Sequence, residues 1–165
     1  MSSGVEVERR PAVRMSVLRL RRPFEVTGAL DVAFGHPWPN EAGRIAGPVY
    51  WLGPGEWAIV GLEPERVEAA CLAACAGATH HLVHVGEATA MWRISGPSAG
   101  ALIARGCSLD THPRAFAARS CARTLFAQVP ALLARPGDEP AFELIADISH
   151  ADYLRGWLED ARTDC

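Results

Sequence analysis

The chain has no lysine: all sixteen of its basic residues are arginine. That absence removes Schiff-base chemistry and a Walker-type phosphate lysine. No G-x-G-x-x-G string follows a strand-like run, so a Rossmann nucleotide site finds no support. No apolar run approaches the ~20 residues of a membrane-spanning helix. Met1 to Arg10 hold no apolar core of a secretory signal, and the cytoplasm is the expected compartment. A net charge of -3 provides no broad basic field, so neither nucleic acid nor membrane is an expected partner. The five cysteines, an odd number, show no disulfide-framework spacing. What is present is the composition of a folded chain: 165 residues, 49% hydrophobic and 21% charged, enough to bury a core without staples.

Residues 1–12 read as a disordered tail, and 13–165 as a single α+β domain. Arg14 to Arg21 reads as a strand broken by Arg22-Pro23, and Val26 to Phe34 as a short helix stopped at Gly35. Val49 to Leu52 and Trp57 to Val60 flank Gly53-Pro54-Gly55-Glu56, a hairpin signal. Glu63 to Ala76 is the clearest helix, with Pro64 in its first turn and Gly77 at its stop. His81 to Val85 and Ala90 to Ile94 read as strands joined through Gly86-Glu87 and paired as neighbours. A helix is expected from Ser98 to Ala104. Arg119 to Gln128, Ala131 to Ala134 and Phe142 to Asp147 read as a meander. Ser149 is the expected cap of a final helix ending near Arg162. Helices between antiparallel strands point to an α+β fold of the split β-α-β type, with no internal repeat visible.

The candidate chemistry is sparse. Cys71 and Cys75 with His80, His81 and His84 have zinc-ligand side chains. Their spacing fits no common zinc module, and His81 and His84 fall on opposite faces of a strand. They read as core thiols and exposed imidazoles, with no metal site. Gly96-Pro97-Ser98-Ala99-Gly100 matches a nucleophile elbow literally, but the flanking parallel sheet is missing. Ser98 reads as a helix start. The pairs Glu159-Asp160 and Asp138-Glu139 read as solvated charge, and Asp110 and Glu87 are weak candidates for a ligand carboxylate. Neither a catalytic nor a cofactor-binding residue is assigned. Trp51, Trp57 and Trp92 fall in strands and suit a core, whereas Trp38 lies in a Pro-rich loop. Tyr153 and Trp157 share a face of the last helix, beside the core stripe Ala151, Leu154, Leu158 and Ala161. Aromatics so displaced are enriched at interfaces. Tyr153, Trp157 and Trp38 are the interface candidates. Packing of the helix flank on a loop explains Tyr153 and Trp157 equally well.

Several strings together resemble one family, the gamma subunit of heterotetrameric sarcosine oxidase. Trp51 to Trp57 is similar to its WLGPDEW hairpin, and Ile94 to Ala99 with Leu102 to its SGPxAxxLL segment. Gly106 to Asp110 with Phe116, Cys121 to Leu125, and Phe142 to Leu158 resemble the strings that follow in that family. The likeness runs from about residue 14 to 163. The chain departs from the pattern between Leu20 and Asn40, and at Asp147-Ile148-Ser149-His150. The resemblance implies the fold of the folate-binding domain of aminomethyltransferases, built of ferredoxin-like units. It implies a small non-catalytic subunit of a complex that oxidises sarcosine to glycine and passes the one-carbon unit to tetrahydrofolate. Alpha, beta and delta subunits would be its partners, chiefly the large one. FAD, FMN, NAD and tetrahydrofolate would sit on larger subunits and zinc on the smallest, with none on this chain. Two alternatives remain: a free-standing folate-binding or aminomethyl-transfer protein, and the gamma subunit of a related N-methyl amino acid oxidase or dehydrogenase.

Overall fold

The computed structural model describes residues 4–11 and 13–163. Its first strand, β1 (Glu6–Arg10), corrects the expectation of a disordered tail. Met1 to Ser3 and Ala12, also assigned to that tail, lie outside the described residues. The strand was invisible to periodicity because four of its five residues are charged. Backbone bonding to a neighbouring strand holds it, with Val5 buried and Val7 packed on the core.

Two compact units replace the single expected domain. The middle unit comprises Ala12–Gly86. It holds β2 (Met15–Leu20), α1 (Thr27–Phe34), β3 (Ile45–Ala46), β4 (Val49–Gly53), β5 (Glu56–Val60), α2 (Pro64–Ala74) and β6 (His80–His84). The terminal unit joins Met1–Pro11 to Glu87–Cys165. It holds β1, β7 (Thr89–Ser95), α3 (Ala99–Gly106), β8 (Ser120–Phe126), β9 (Val129–Arg135), β10 (Ala141–Asp147) and α4 (Ala151–Thr163).

The two sheets repeat one plan. The middle sheet runs β6-β2-β5-β4-β3 and the terminal sheet β1-β7-β10-β9-β8, with every neighbour antiparallel. Each is a β-α-β-β-α-β unit carrying one extra edge strand. In the terminal unit the fourth strand of that plan is β1, supplied from the start of the chain. The corner after the first strand is also bonded alike. In the middle unit, Leu20 N–H donates to Gly55 O (2.8 Å) and Arg21 N–H to Thr79 O (3.2 Å). In the terminal unit, Gly96 N–H donates to Pro140 O (3.1 Å) and Ser98 N–H to Gly4 O (2.9 Å). The repeat lies in strand order and backbone bonding.

The plan also corrects the pairing of the strands around Gly86. β6 bonds to β2 and β7 to β1 and β10, so strands close in sequence enter different sheets. Gly86 marks the division, and a Cβ there would collide with the carbonyl oxygen of Val13.

Each unit has its own apolar cluster between sheet and helices. Trp92, Ile94, Leu102, Phe126, Leu144 and Leu158 anchor the terminal cluster; Leu18, Leu30, Trp57, Ile59 and Val67 anchor the middle one. Each such side chain contributes roughly 1.5–3 kcal/mol on burial. The stripe Ala151, Leu154, Leu158 and Ala161 of α4 is buried as its spacing predicts. The cap of its entry is different. Asp147 Oδ1, not Ser149, is the acceptor, taking the Ser149 N–H (2.8 Å) and O–H (2.6 Å). α3 starts at Ala99, and Ser98 makes no side-chain cap bond.

Candidate functional site

Trp38 is a core residue. It is 3% exposed and lies between Phe34 (ring centroids 5.2 Å) and Trp57 (5.6 Å). Its backbone N–H donates to Asp31 Oδ1 at 2.6 Å, which folds the Pro-rich loop back onto α1. The loop sequence concealed this, because proline marks a turn without saying which side chain turns inward. Trp38 therefore offers no interface.

Tyr153 and Trp157 do share a flank of α4, and that flank packs on the β8–β9 hairpin. Trp157 is half-buried and meets Phe126 edge-on at 5.0 Å. The Tyr153 hydroxyl donates to Ala127 O at 3.1 Å, while 54% of the residue stays exposed. The turn they hold has φ +48° at Ala127 and +67° at Gln128, a left-handed pair without glycine. Of the three interface candidates, Tyr153 keeps the most surface.

The remaining candidates do not assemble a reaction centre. Among the described residues no three His, Cys, Asp or Glu side chains converge to hold a metal. Cys71 on α2 and Cys75 at its C-terminal cap are buried, and burial, reinforced by Cys75, pushes the Cys71 thiol up to about 12. A thiol so shifted is not a nucleophile near neutral pH. His84 Nδ1 is bonded to the buried Ser16 Oγ at 2.8 Å, and His80 Nδ1 donates to Ala78 O at 3.0 Å. Ser98 sits under the Gly4 backbone with no base bonded to it among the described residues. Asp110 closes its own turn by accepting the His112 N–H at 2.9 Å, and Glu87 is exposed on a short 3-10 turn.

A feature that no local sequence pattern announces lies in the middle unit. Three depressions of about 440, 370 and 260 Å³ share Arg21 in their walls. The largest is apolar, with Leu20, Pro23, Phe24, Trp51, Pro54 and Trp57 among its lining residues. Phe24, on a 3-10 turn over Pro23–Glu25, is 86% exposed. Arg19 pairs with Glu56 at 3.3 Å and Arg22 with Glu25 at 3.4 Å. The Arg-Arg-Pro-Phe string reads first as a strand break. The signal within it was a phenylalanine set among charges, with no apolar periodicity to bury it.

Comparisons with known proteins agree with this fold. Residues 31–164 match the sarcosine oxidase, gamma subunit family. The sarcosine oxidase subunit gamma of an Arthrobacter species is 29% identical over 141 residues, covering 82% of this chain and 69% of that one. A heterotetrameric sarcosine oxidase from Corynebacterium sp. U-96, solved with pyrrole 2-carboxylate, contains a similar chain. It superposes with a TM-score of 0.88 at 23% identity, over 99% of this chain and 87% of the other. Glycine cleavage system aminomethyltransferase T from Bartonella henselae shares the fold at a TM-score of 0.67 and 14% identity, over 97% of this chain and 47% of that one. The expected likeness to aminomethyltransferases is thereby met at the level of fold. With residues 31–164 matched, this chain belongs to the sarcosine oxidase gamma subunit family.

Proposed function

We propose that this chain is the small non-catalytic gamma subunit of a heterotetrameric sarcosine oxidase. The observation that carries the reading is the family match over residues 31–164. In this reading the chain packs chiefly on the large flavoprotein subunit, with beta and delta subunits completing the assembly. FAD, FMN, NAD and tetrahydrofolate belong to the larger subunits and zinc to the smallest. The chain's own contribution is surface. Among the described residues, the Cys71 thiol is buried and the Ser16 hydroxyl is bonded to His84.

Co-expression with its genomic neighbours, followed by purification on a tag placed on this chain, tests the proposal. The expected result is a stable complex that oxidises sarcosine, and an isolated chain without flavin absorbance. Elution of the chain alone overturns the subunit reading. A complex that turns over another N-methylated amino acid and not sarcosine keeps the subunit role but replaces the substrate. Tetrahydrofolate bound stoichiometrically by the isolated chain would favour a free-standing folate protein instead.

A further inference from the structure

We propose that the apolar groove beside Arg21 is a docking site for an acidic segment of a partner subunit that presents an apolar side chain. The inference rests on the subunit reading above and adds a surface to it. Pro23, Trp51 and Pro54 line the groove over the buried Leu20 and Trp57, and Phe24 stands beside it with 86% of its surface in solvent. A small-molecule site would bury most of its ligand in an enclosed pocket. Here the main aromatic stands outward, as in a cleft that receives a side chain from another protein.

Charge selects the occupant. Arg19 and Arg22 each have a carboxylate, Glu56 and Glu25. Among the described residues, the Arg21 side chain has no ion pair, although it walls all three depressions. One uncompensated guanidinium next to an apolar cleft fits a segment in which a carboxylate follows a large apolar residue. Such a pair supplies the anchor and the orientation of a peptide-sized contact. The matching corner of the terminal unit supports this contrast. There the chain uses Gly96-Pro97-Ser98, whose small residues close on the backbone of Gly4.

The test uses the co-expressed complex. Arg21→Glu and Phe24→Ser should each weaken association of this chain with the rest of the assembly about tenfold. Both side chains are exposed, so the variants should keep the wild-type circular dichroism. Val32→Ser, at an equally exposed apolar position on α1 outside the groove, should change nothing. A photo-crosslinking residue at position 24 should capture a partner-subunit peptide that contains Asp or Glu. Wild-type association of both groove variants overturns the docking site while leaving the subunit reading intact. Crosslinking only to a second copy of this chain, or only to a small molecule, also overturns it. If the unmodified chain fails to co-purify, the subunit reading fails, and the docking site with it.

Discussion

The terminal and middle units share a strand order and a hydrogen-bonding corner, yet their surfaces differ. After its first strand, the terminal unit turns on Gly96, at φ +110°, where the Gly4 carbonyl would leave no space for a Cβ. The middle unit turns on Arg21, Arg22 and Pro23 and leaves Phe24 outside. The helices differ in degree: α1 and α2 of the middle unit expose the aliphatic Val32 at 83% and Leu72 at 69%, where α4 exposes Tyr153 at 54% with its hydroxyl bonded. Topology settles which backbone groups bond at the corner. Side-chain size and charge decide whether the same corner is sealed or left open to a partner.

The largest test of that comparison removes the central tryptophan of each core. Trp92 and Trp57 are 1% and 2% exposed. Truncating either to alanine should cost about 3–5 kcal/mol, read from urea unfolding. Trp57→Ala should be the worse of the two. Its indole N–H donates to the Pro39 carbonyl at 2.7 Å, and loss of a buried partner adds about 1–3 kcal/mol. Equal midpoints for the two variants would show that the bond to the Pro-rich loop adds nothing to the middle unit.

A second pair of changes should move stability in opposite directions within the terminal unit. Gly106 ends α3 against the ring of Phe126, which Trp157 holds from another side. A methyl at 106 would collide with that ring, and the overpacking should cost about 1–3 kcal/mol. Gly156 lies inside α4, where an added Cβ would meet nothing. Gly156→Ala should gain about 0.5–1 kcal/mol from helix propensity. Thermal melts of the two variants on either side of wild type are the expected result. If Gly106→Ala is neutral, the Phe126–Trp157 contact yields easily and the hairpin is less firmly held than the geometry indicates.

The elements that were legible in the sequence were those with a repeating apolar signal or a strong punctuator. The stripe of α4, the stop of α1 at Gly35 and the turn at Pro54-Gly55 belong to this class. The family was legible too, because its strings keep their order along the chain. What was not legible depended on partners distant in sequence. β1 is charged and becomes a strand only because β7 offers it an edge. The split between β6 and β7 depends on the distant strands each one pairs with, and the inward turn of Trp38 goes with its N–H bond to Asp31. The groove at Arg21 collects residues from three separate stretches, 20–24, 40–42 and 51–57, and no local pattern announces it.

The β8–β9 turn provides a smaller test. Ala127 and Gln128 both adopt left-handed backbone, for which Asn-Gly is the preferred pair. Replacing them with Asn-Gly should stabilise the terminal unit by about 1 kcal/mol, provided the Ala127 N–H bond to Gly106 O survives. Denaturant midpoints would report the gain. A loss would show that the turn sequence is tuned to its neighbours, Tyr153 above all, and not merely tolerated.

The smallest expected effect concerns how the last helix begins. α2 of the middle unit starts with Pro64 after Glu63, whose side chain pairs with Arg14 and makes no cap bond to the helix backbone. α4 enters through Asp147, and the Ser149 hydroxyl and then the Ser149 N–H hold its carboxyl below the ordinary value of 3.8. A depressed carboxylate stabilises the folded state above the unfolded pKa, and the contribution disappears as pH falls through the folded pKa. The start of α4 should therefore loosen in acid before that of α2 does, seen as earlier loss of amide protection around Ser149. Asp147→Asn keeps an acceptor oxygen and should abolish the acid dependence while retaining much of the cap. Ser149→Ala removes the larger cause, and the Asp147 carboxyl should then titrate closer to its ordinary value by NMR. If acid loosens both helix starts together, Asp147 is not what distinguishes them.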